Sequence, residues 1–233
     1  DNNVYTIAKL KDDRCWMTTN LNLEGGTQLS YEDTDIPEGY TLPVANGFQE
    51  GNRLPESNTS GFTSDTIAYL YNSHSPVCTS TEPCYSYYSG TTATVGSGLD
   101  IHTANVDAPY SICPKGWKLP TTRYTEPFDM DVAVESDFYN LATNYGMPND
   151  VYNMNVDTFY KTAGPGTAPN FLLGGYHNNN HLVYGGESGF YWTSTGGSLP
   201  YRFYNARIRP ESIYTVQQYD RRYALAIRCI ASN

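Results

Sequence analysis

The sequence predicts an α+β fold, and three observations carry that reading. From Phe171 onward, apolar runs of four to eight residues alternate with Gly, Asn or Pro, which marks short antiparallel strands. Only the segment 136–145 has apolar residues at clear helical spacing. The 233 residues include 20 Gly and 14 Pro, so turns and long ordered loops must be frequent. The length suits a single domain spanning 1–233, with a loop-rich insertion around 24–62.

Taken in order, Val4 to Leu10 alternates and reads as a strand. Asp12-Asp13 marks a turn, and Cys15-Trp16-Met17 a second strand that Thr18 to Leu23 extends along an edge. Residues 24–62 carry Gly25, Gly26, Pro37, Gly39, Pro43, Gly47, Gly51 and Pro55 and read as an excursion with little regular structure. Thr66 to Tyr71 fits a short strand or a helical turn, and Thr92 to Val95 a single helical turn. Ile112 to Thr121 is a compact block whose turns Pro114 and Pro120 fix. The one clear helix is capped by Ser136, puts Phe138, Leu141, Ala142 and Tyr145 on one face, and ends at Gly146. After the loop 163–170 come the strands FLLGGY, HLVYGG, FYWTST, YRFYNARI, SIYTV and YALAIRCI.

The net charge of −10 argues against nucleic acid as a partner. The charge is uneven: residues 201–233 hold six Arg and two acids, residues 1–200 eight basic and 22 acidic residues. A basic C-terminal end on an acidic body can steer an anion, although pairing of those arginines with acids of the same fold is the plainer expectation. No stretch approaches 18 consecutive apolar residues, so no membrane insertion is expected within this chain. Among the five cysteines no C-x-x-C and no zinc spacing occurs. Cys78 and Cys84 bracket a short polar loop and read as a local disulfide; Cys15, beside Trp16, reads as a small buried hydrophobe. Disulfide use with a surface rich in Tyr, Asn, Thr and Ser favours an extracellular protein, and Asp1 would follow a signal peptide already removed.

Five blocks in order carry a family resemblance. They are Cys15-Trp16-Met17 leading to Asn20-Leu21, Tyr87-Tyr88-Ser89 leading to Gly96-Ser97-Gly98, Ile112 to Thr121, Gly189 to Thr195, and Arg221 to Cys229. Over nearly its whole length the chain resembles the bacterial major paralogous (FISUMP) domain. The resemblance implies a C-type-lectin-like fold, N- and C-terminal strands that pair, a Cys113–Cys229 disulfide, and a secreted or bacterial-surface domain of a family with no established enzymatic activity. Such a bridge closes a loop of over a hundred residues, worth on the order of 4–5 kcal/mol in the chain-entropy picture. The chain is also similar to the hypervariable proteins of diversity-generating retroelements, whose diversified positions fall in this C-terminal stretch.

Candidate chemistry is sparse. There is no G-x-S-x-G elbow, and the histidines His74, His102, His177 and His181 sit in polar segments. His177 and His181 would bind zinc from a helix, which Asn178-Asn179-Asn180 disfavours. Asp129, Asp131, Glu135 and Asp137 form a carboxylate cluster that can hold a structural calcium, the alternative being a solvated face at a helix start. Glu-Pro-Asn and Trp-Asn-Asp, used by calcium-dependent lectins of similar fold, are absent. Formylglycine-generating enzymes, distantly similar in fold, use a reactive cysteine pair; Cys78 and Cys84 have no adjacent basic group to activate them. No enzyme, cofactor or metal site is therefore expected.

The C-terminal sheet offers a binding face. Alternation puts Ala206 and Ile208 on one side and Asn205, Arg207 and Arg209 on the other. Tyr201, Arg202, Tyr214, Gln217, Gln218 and Tyr219 lie around them, with Tyr176, Asn178, Asn179, Asn180 and Tyr184 on preceding loops. Tyr and Asn with Arg resemble the composition of a paratope. The expected function is a non-catalytic recognition or adhesion module for a protein or glycan on another cell's surface. The alternatives are a structural subunit of a bacterial appendage or surface layer, self-associating through this face, and a retroelement-type hypervariable binder.

Overall fold

In the computed structural model the described residues are 4–21, 29–38, 70–72, 107–108, 110–123, 135–146, 161–164, 166–178, 181–198, 202–210, 212–220 and 223–232. They form an α+β structure of two sheets and one bounded helix, with residues 161–162 also helical. The first sheet has the order β1-β2-β11-β4, built from β1 (Ile7–Lys9), β2 (Cys15–Met17), β4 (Trp117–Lys118) and β11 (Ile230–Ala231). The second has the order β6-β5-β10-β7-β8-β9, with β3 (Leu70–Asn72) also paired to β10 (Ala224–Ala226). Its other strands are β5 (Tyr176–Asn178), β6 (His181–Val183), β7 (Gly189–Gly196), β8 (Arg202–Ile208) and β9 (Ile213–Asp220).

The closing segment joins the two sheets. Leu225, Ile227 and Cys229 enter one apolar cluster with Met17, Leu119, Phe190, Trp192 and Phe203. Ala226 and Ile230 enter the other with Trp16, Phe138, Leu141, Phe171 and Tyr191. Side chains that alternate across an extended chain thus feed both cores. Arg228 lies between them at 1% exposure. Its five N–H groups are all used, on Asn20 Oδ1 (2.9 and 2.7 Å) and on the carbonyls of Met17, Pro169 and Asn170 (3.1, 2.7 and 3.0 Å). Its guanidinium also lies over the Phe171 and Tyr191 rings.

The helix α1 (Asp137–Asn144) forms where the sequence places it. The Ser136 hydroxyl accepts from the Tyr139 amide, and Gly146 takes the left-handed conformation, φ +65°, that ends it. Phe138, Leu141 and Ala142 are buried against Trp16 and Phe171, with the Trp16 and Phe138 rings 5.4 Å apart. Asp137 ties the helix to the turn before β2 and to the segment that carries β4. It ion-pairs with Arg14 (3.1 Å) and Lys118 (3.2 Å) and accepts from the Thr121 amide and hydroxyl (2.9 and 3.1 Å). The carboxylate considered for calcium is therefore occupied by cations and donors of the fold; Asp129 and Asp131 lie outside the described residues.

Several expectations need correction. The second strand stops at Met17 and is not an edge, because β11 covers its far side with Ile230 opposite Trp16. The chain termini meet through β2 and β11, with β1 on the outside of β2. Phe171 to Leu173 is buried but not a strand: the Leu172 amide and carbonyl bond to the Tyr191 hydroxyl (2.8 and 2.9 Å) and not to a neighbouring strand. One ladder of the second sheet, β10 on β7, is parallel. Cys15 is exposed and free, because alternation turns Trp16 inward and the partner of Cys15, Lys9, is itself at the surface. Cys113 and Cys229 form a disulfide across 116 residues, with both cysteines buried. Cys78, Cys84 and the turn expected at Thr92 to Val95 lie outside the described residues.

Candidate ligand-binding face

The candidate face lies on one side of β7, β8 and β9. Register sets Phe190 opposite Arg207 and Trp192 opposite Asn205. It also sets Phe203 opposite Tyr219 and Asn205 opposite Gln217. An irregularity between Asn205 and Arg207 brings Tyr214 opposite Arg207. The alternation read from the sequence is therefore present. Its consequence differs: β7 is buried along its length and β8 from Phe203 to Ile208, so both faces of these strands are covered. Asn205 is fully buried on the side of Trp192 and Phe203, and its Nδ2 donates to the Gln217 carbonyl (3.1 Å). Tyr176 is also buried, stacked on Tyr223 at 5.2 Å. Asn205, Arg207 and Tyr176 thus belong to the interior wall of the face and not to open surface, because aromatic neighbours close over them.

Arg207 is the centre of the arrangement. It is 8% exposed, yet among the described residues it has no carboxylate partner. Its Nε and one terminal nitrogen donate to the Ser188 hydroxyl (3.3 and 3.2 Å), and its guanidinium carbon lies 4.8 Å from the Tyr184 ring centre and 5.1 Å from that of Phe190. Burial, and then the charge of Arg209, push its pKa below the ordinary arginine value. Around Phe190 stand Tyr176 (5.0 Å), Tyr219 (5.3 Å) and Tyr184 (6.1 Å), while Tyr223 reaches Tyr219 at 5.6 Å. Burial pushes the Tyr219 hydroxyl well above the usual tyrosine range and raises that of Tyr176.

A five-residue turn clamps Arg207. The Tyr184 carbonyl accepts from the amides of Glu187 (3.1 Å) and Ser188 (3.0 Å), which fixes the Tyr184 ring and the Ser188 hydroxyl on the same guanidinium. Tyr184 itself has φ +57°, a left-handed conformation costly for a bulky side chain, and is 41% exposed. A large apolar ring in a strained backbone, half open to water over a buried cation, is the most distinctive local feature of the face.

The remaining expected residues form its rim or fall outside it. Arg202 is exposed at the start of β8, and Arg209 lies over the half-buried Tyr214 ring at 5.6 Å. Gln218 points to the opposite side, accepting from the Ser198 amide and hydroxyl and donating to the Tyr204 hydroxyl. Asn178 pairs with His181 in the β5–β6 hairpin, so the two histidines sit on strands and not on one helix face. Asn179, Asn180 and Tyr201 lie outside the described residues. Sequence reasoning missed Ser188, Phe190 and Tyr223. Ser188 and Phe190 follow the Gly185-Gly186 turn two residues apart, a spacing that predicts one shared side of a strand.

Arg207 and Arg228 pair with neutral groups, so these two arginines of the basic C-terminal end do not follow the expected pairing with acids. Among the described residues no cluster of His, Cys, Asp or Glu has the geometry of a metal site, and no helix is long and apolar enough to cross a membrane. No family model, curated protein or solved structure matches this chain.

Proposed function

We propose that the protein is a non-catalytic, extracellular recognition module that binds a glycan or protein surface through the Tyr184–Arg207 face. The observation that carries the reading is the clamp itself, in which a strained, half-exposed tyrosine lies over a buried guanidinium ringed by aromatic side chains. Aromatic rings supply rigid contact area and arginine supplies directed donors, the combination that dominates binding hot spots. A C-type-lectin-like arrangement is the fold reading we favour. It is supported by the Cys113–Cys229 disulfide and by chain ends that meet through β2 and β11. The disulfide is also the support for an oxidising, extracellular setting.

The test is binding of the purified protein to glycan and cell-surface protein arrays, with and without a calcium chelator. Tyr184→Ala and Arg202→Ala, both at exposed positions, are compared with the unmodified chain. We expect binding that survives chelation and falls at least about tenfold with Tyr184→Ala, which is the loss of about 1.4 kcal/mol.

One observation favours a second reading, a self-assembling surface subunit. Among the described residues β1 pairs only with β2, and it carries exposed Ile7 beside exposed Val4, an edge suited to strand addition. Sedimentation over a hundredfold concentration range separates the two, since a recognition module stays monomeric throughout.

A further inference from the structure

Two buried arginines of this chain are satisfied very differently. Arg228 spends all five N–H groups on protein oxygens. Arg207 uses two, both on the single Ser188 oxygen, and its guanidinium lies against the Tyr184 and Phe190 rings. Among the described residues the other three guanidinium N–H groups have no protein acceptor, and because no Arg207 nitrogen is among the fully buried unpaired atoms, they reach the surface from a side chain that is nine-tenths buried. Among the described residues, the charged and titratable groups that act on it are Arg209, Tyr176, Tyr184, Tyr214 and Tyr219, none of them a carboxylate.

A guanidinium fork left open in this way matches two oxygens of one oxyanion, held by parallel hydrogen bonds. The covering ring narrows the class. Tyr184, whose ring lies 4.8 Å from the guanidinium carbon, is 41% exposed and adds apolar surface next to the fork. A ligand that stacks a sugar ring there brings an attached carboxylate to the guanidinium. An acidic side chain of a protein would use the fork but leave that apolar surface without a partner. Resting on the recognition reading above, we propose that Arg207 anchors the carboxylate of an acidic sugar, such as a uronic acid, while Tyr184 stacks on its ring. The Ser188 hydroxyl, which already fixes the guanidinium plane, acts as the positioning residue.

The probe is sodium glucuronate, titrated into the full chain while the Nε–H signal of Arg207 is followed by NMR. Arg207→Lys identifies that signal by its disappearance. We expect a saturable shift with a dissociation constant on the order of a millimolar, appropriate to one monosaccharide. Glucose should bind at least about tenfold more weakly, and acetate should shift the signal, whereas only glucuronate should also show upfield shifts of its own ring protons from the ring current of Tyr184. In Tyr184→Phe the affinity should persist, and in Tyr184→Ala it should fall to that of acetate. Equal shifts with glucose and glucuronate, or no shift at the Arg207 signal while thermal melting shows an intact fold, would overturn the proposal. A shift produced by a glutamate-rich peptide but not by glucuronate would overturn it in favour of a protein carboxylate. Array binding confined to neutral glycans would leave the recognition reading standing and remove this one.

Discussion

At the scale of single residues, the two buried arginines make opposite predictions. Removing Arg228 leaves the Asn20 amide oxygen and three backbone carbonyls without a donor inside the core. Unpaired buried acceptors cost about 1–3 kcal/mol each before relaxation. Arg228→Met should therefore lower stability by about 3–5 kcal/mol in urea titration. Arg207→Met removes a desolvated cation that has only one hydroxyl as acceptor, and should cost about 1 kcal/mol or less. Equal losses in the two variants would contradict the distinction between a saturated and an open guanidinium. The tyrosines add a pH dependence. Burial raises Tyr176, Tyr191 and Tyr219 in the folded state above the unfolded value of about 10. The folded state then holds protons that the unfolded chain releases, so stability is intact below about pH 10 and declines as pH rises through the folded values. Melting temperature between pH 8 and 11.5 should fall only at the alkaline end, with tyrosinate absorbance at 295 nm developing in step with unfolding.

At the scale of elements, packing against backbone sets the tightest constraints. A side chain at Gly189 would drive a Cβ into the Leu172 carbonyl oxygen, where the 171–173 segment crosses the start of β7. Gly189→Ala should cost about 2–3 kcal/mol, measured by urea titration. Ser136→Ala should cost about 1 kcal/mol through the lost N-cap, and should leave the Arg207 signal unmoved. The helix was legible because its information is local: a cap, a spacing and a terminal glycine within eleven residues. Strand existence from Gly189 onward was legible for the same reason, through period-two alternation. What alternation cannot convey is how much lies on each side of a sheet. Asn205 and Arg207 looked like open surface because they are polar, yet their side of β8 is closed by Tyr176, Phe190 and Tyr219. Likewise Cys15 looked like core from its neighbour Trp16, while strand geometry sends adjacent side chains to opposite faces. The clamp was partly legible, since Tyr184 was named and Gly185-Gly186 marks the turn. Its meaning depends on Ser188, just before β7, and Phe190, within it, meeting Arg207 from 19 and 17 residues away, which no local pattern encodes.

At the scale of the whole molecule, the closing segment 225–230 feeds both apolar clusters, and the disulfide fastens it to Cys113. Closing a loop of 116 residues lowers the entropy of the unfolded chain by the equivalent of about 5 kcal/mol. Both sulfurs are buried, so reductant should reach them only after opening, while exposed Cys15 should be alkylated at once in the native protein. Mass spectrometry after brief alkylation should find Cys15 modified and Cys113 and Cys229 still bridged. The same rigidity suits the recognition role proposed above, because Arg207 and Phe190 stand on strands buried on both faces, and only the Tyr184 to Ser188 turn of the clamp lies outside them. The most direct test of a recognition face at this place is array binding by the unmodified chain and by Tyr184→Ala, with melting temperatures measured in parallel. Calcium-independent binding that is lost in the variant while its melting temperature stays unchanged is the expected result. Binding that is equal in both, or abolished by chelator alone, would contradict it.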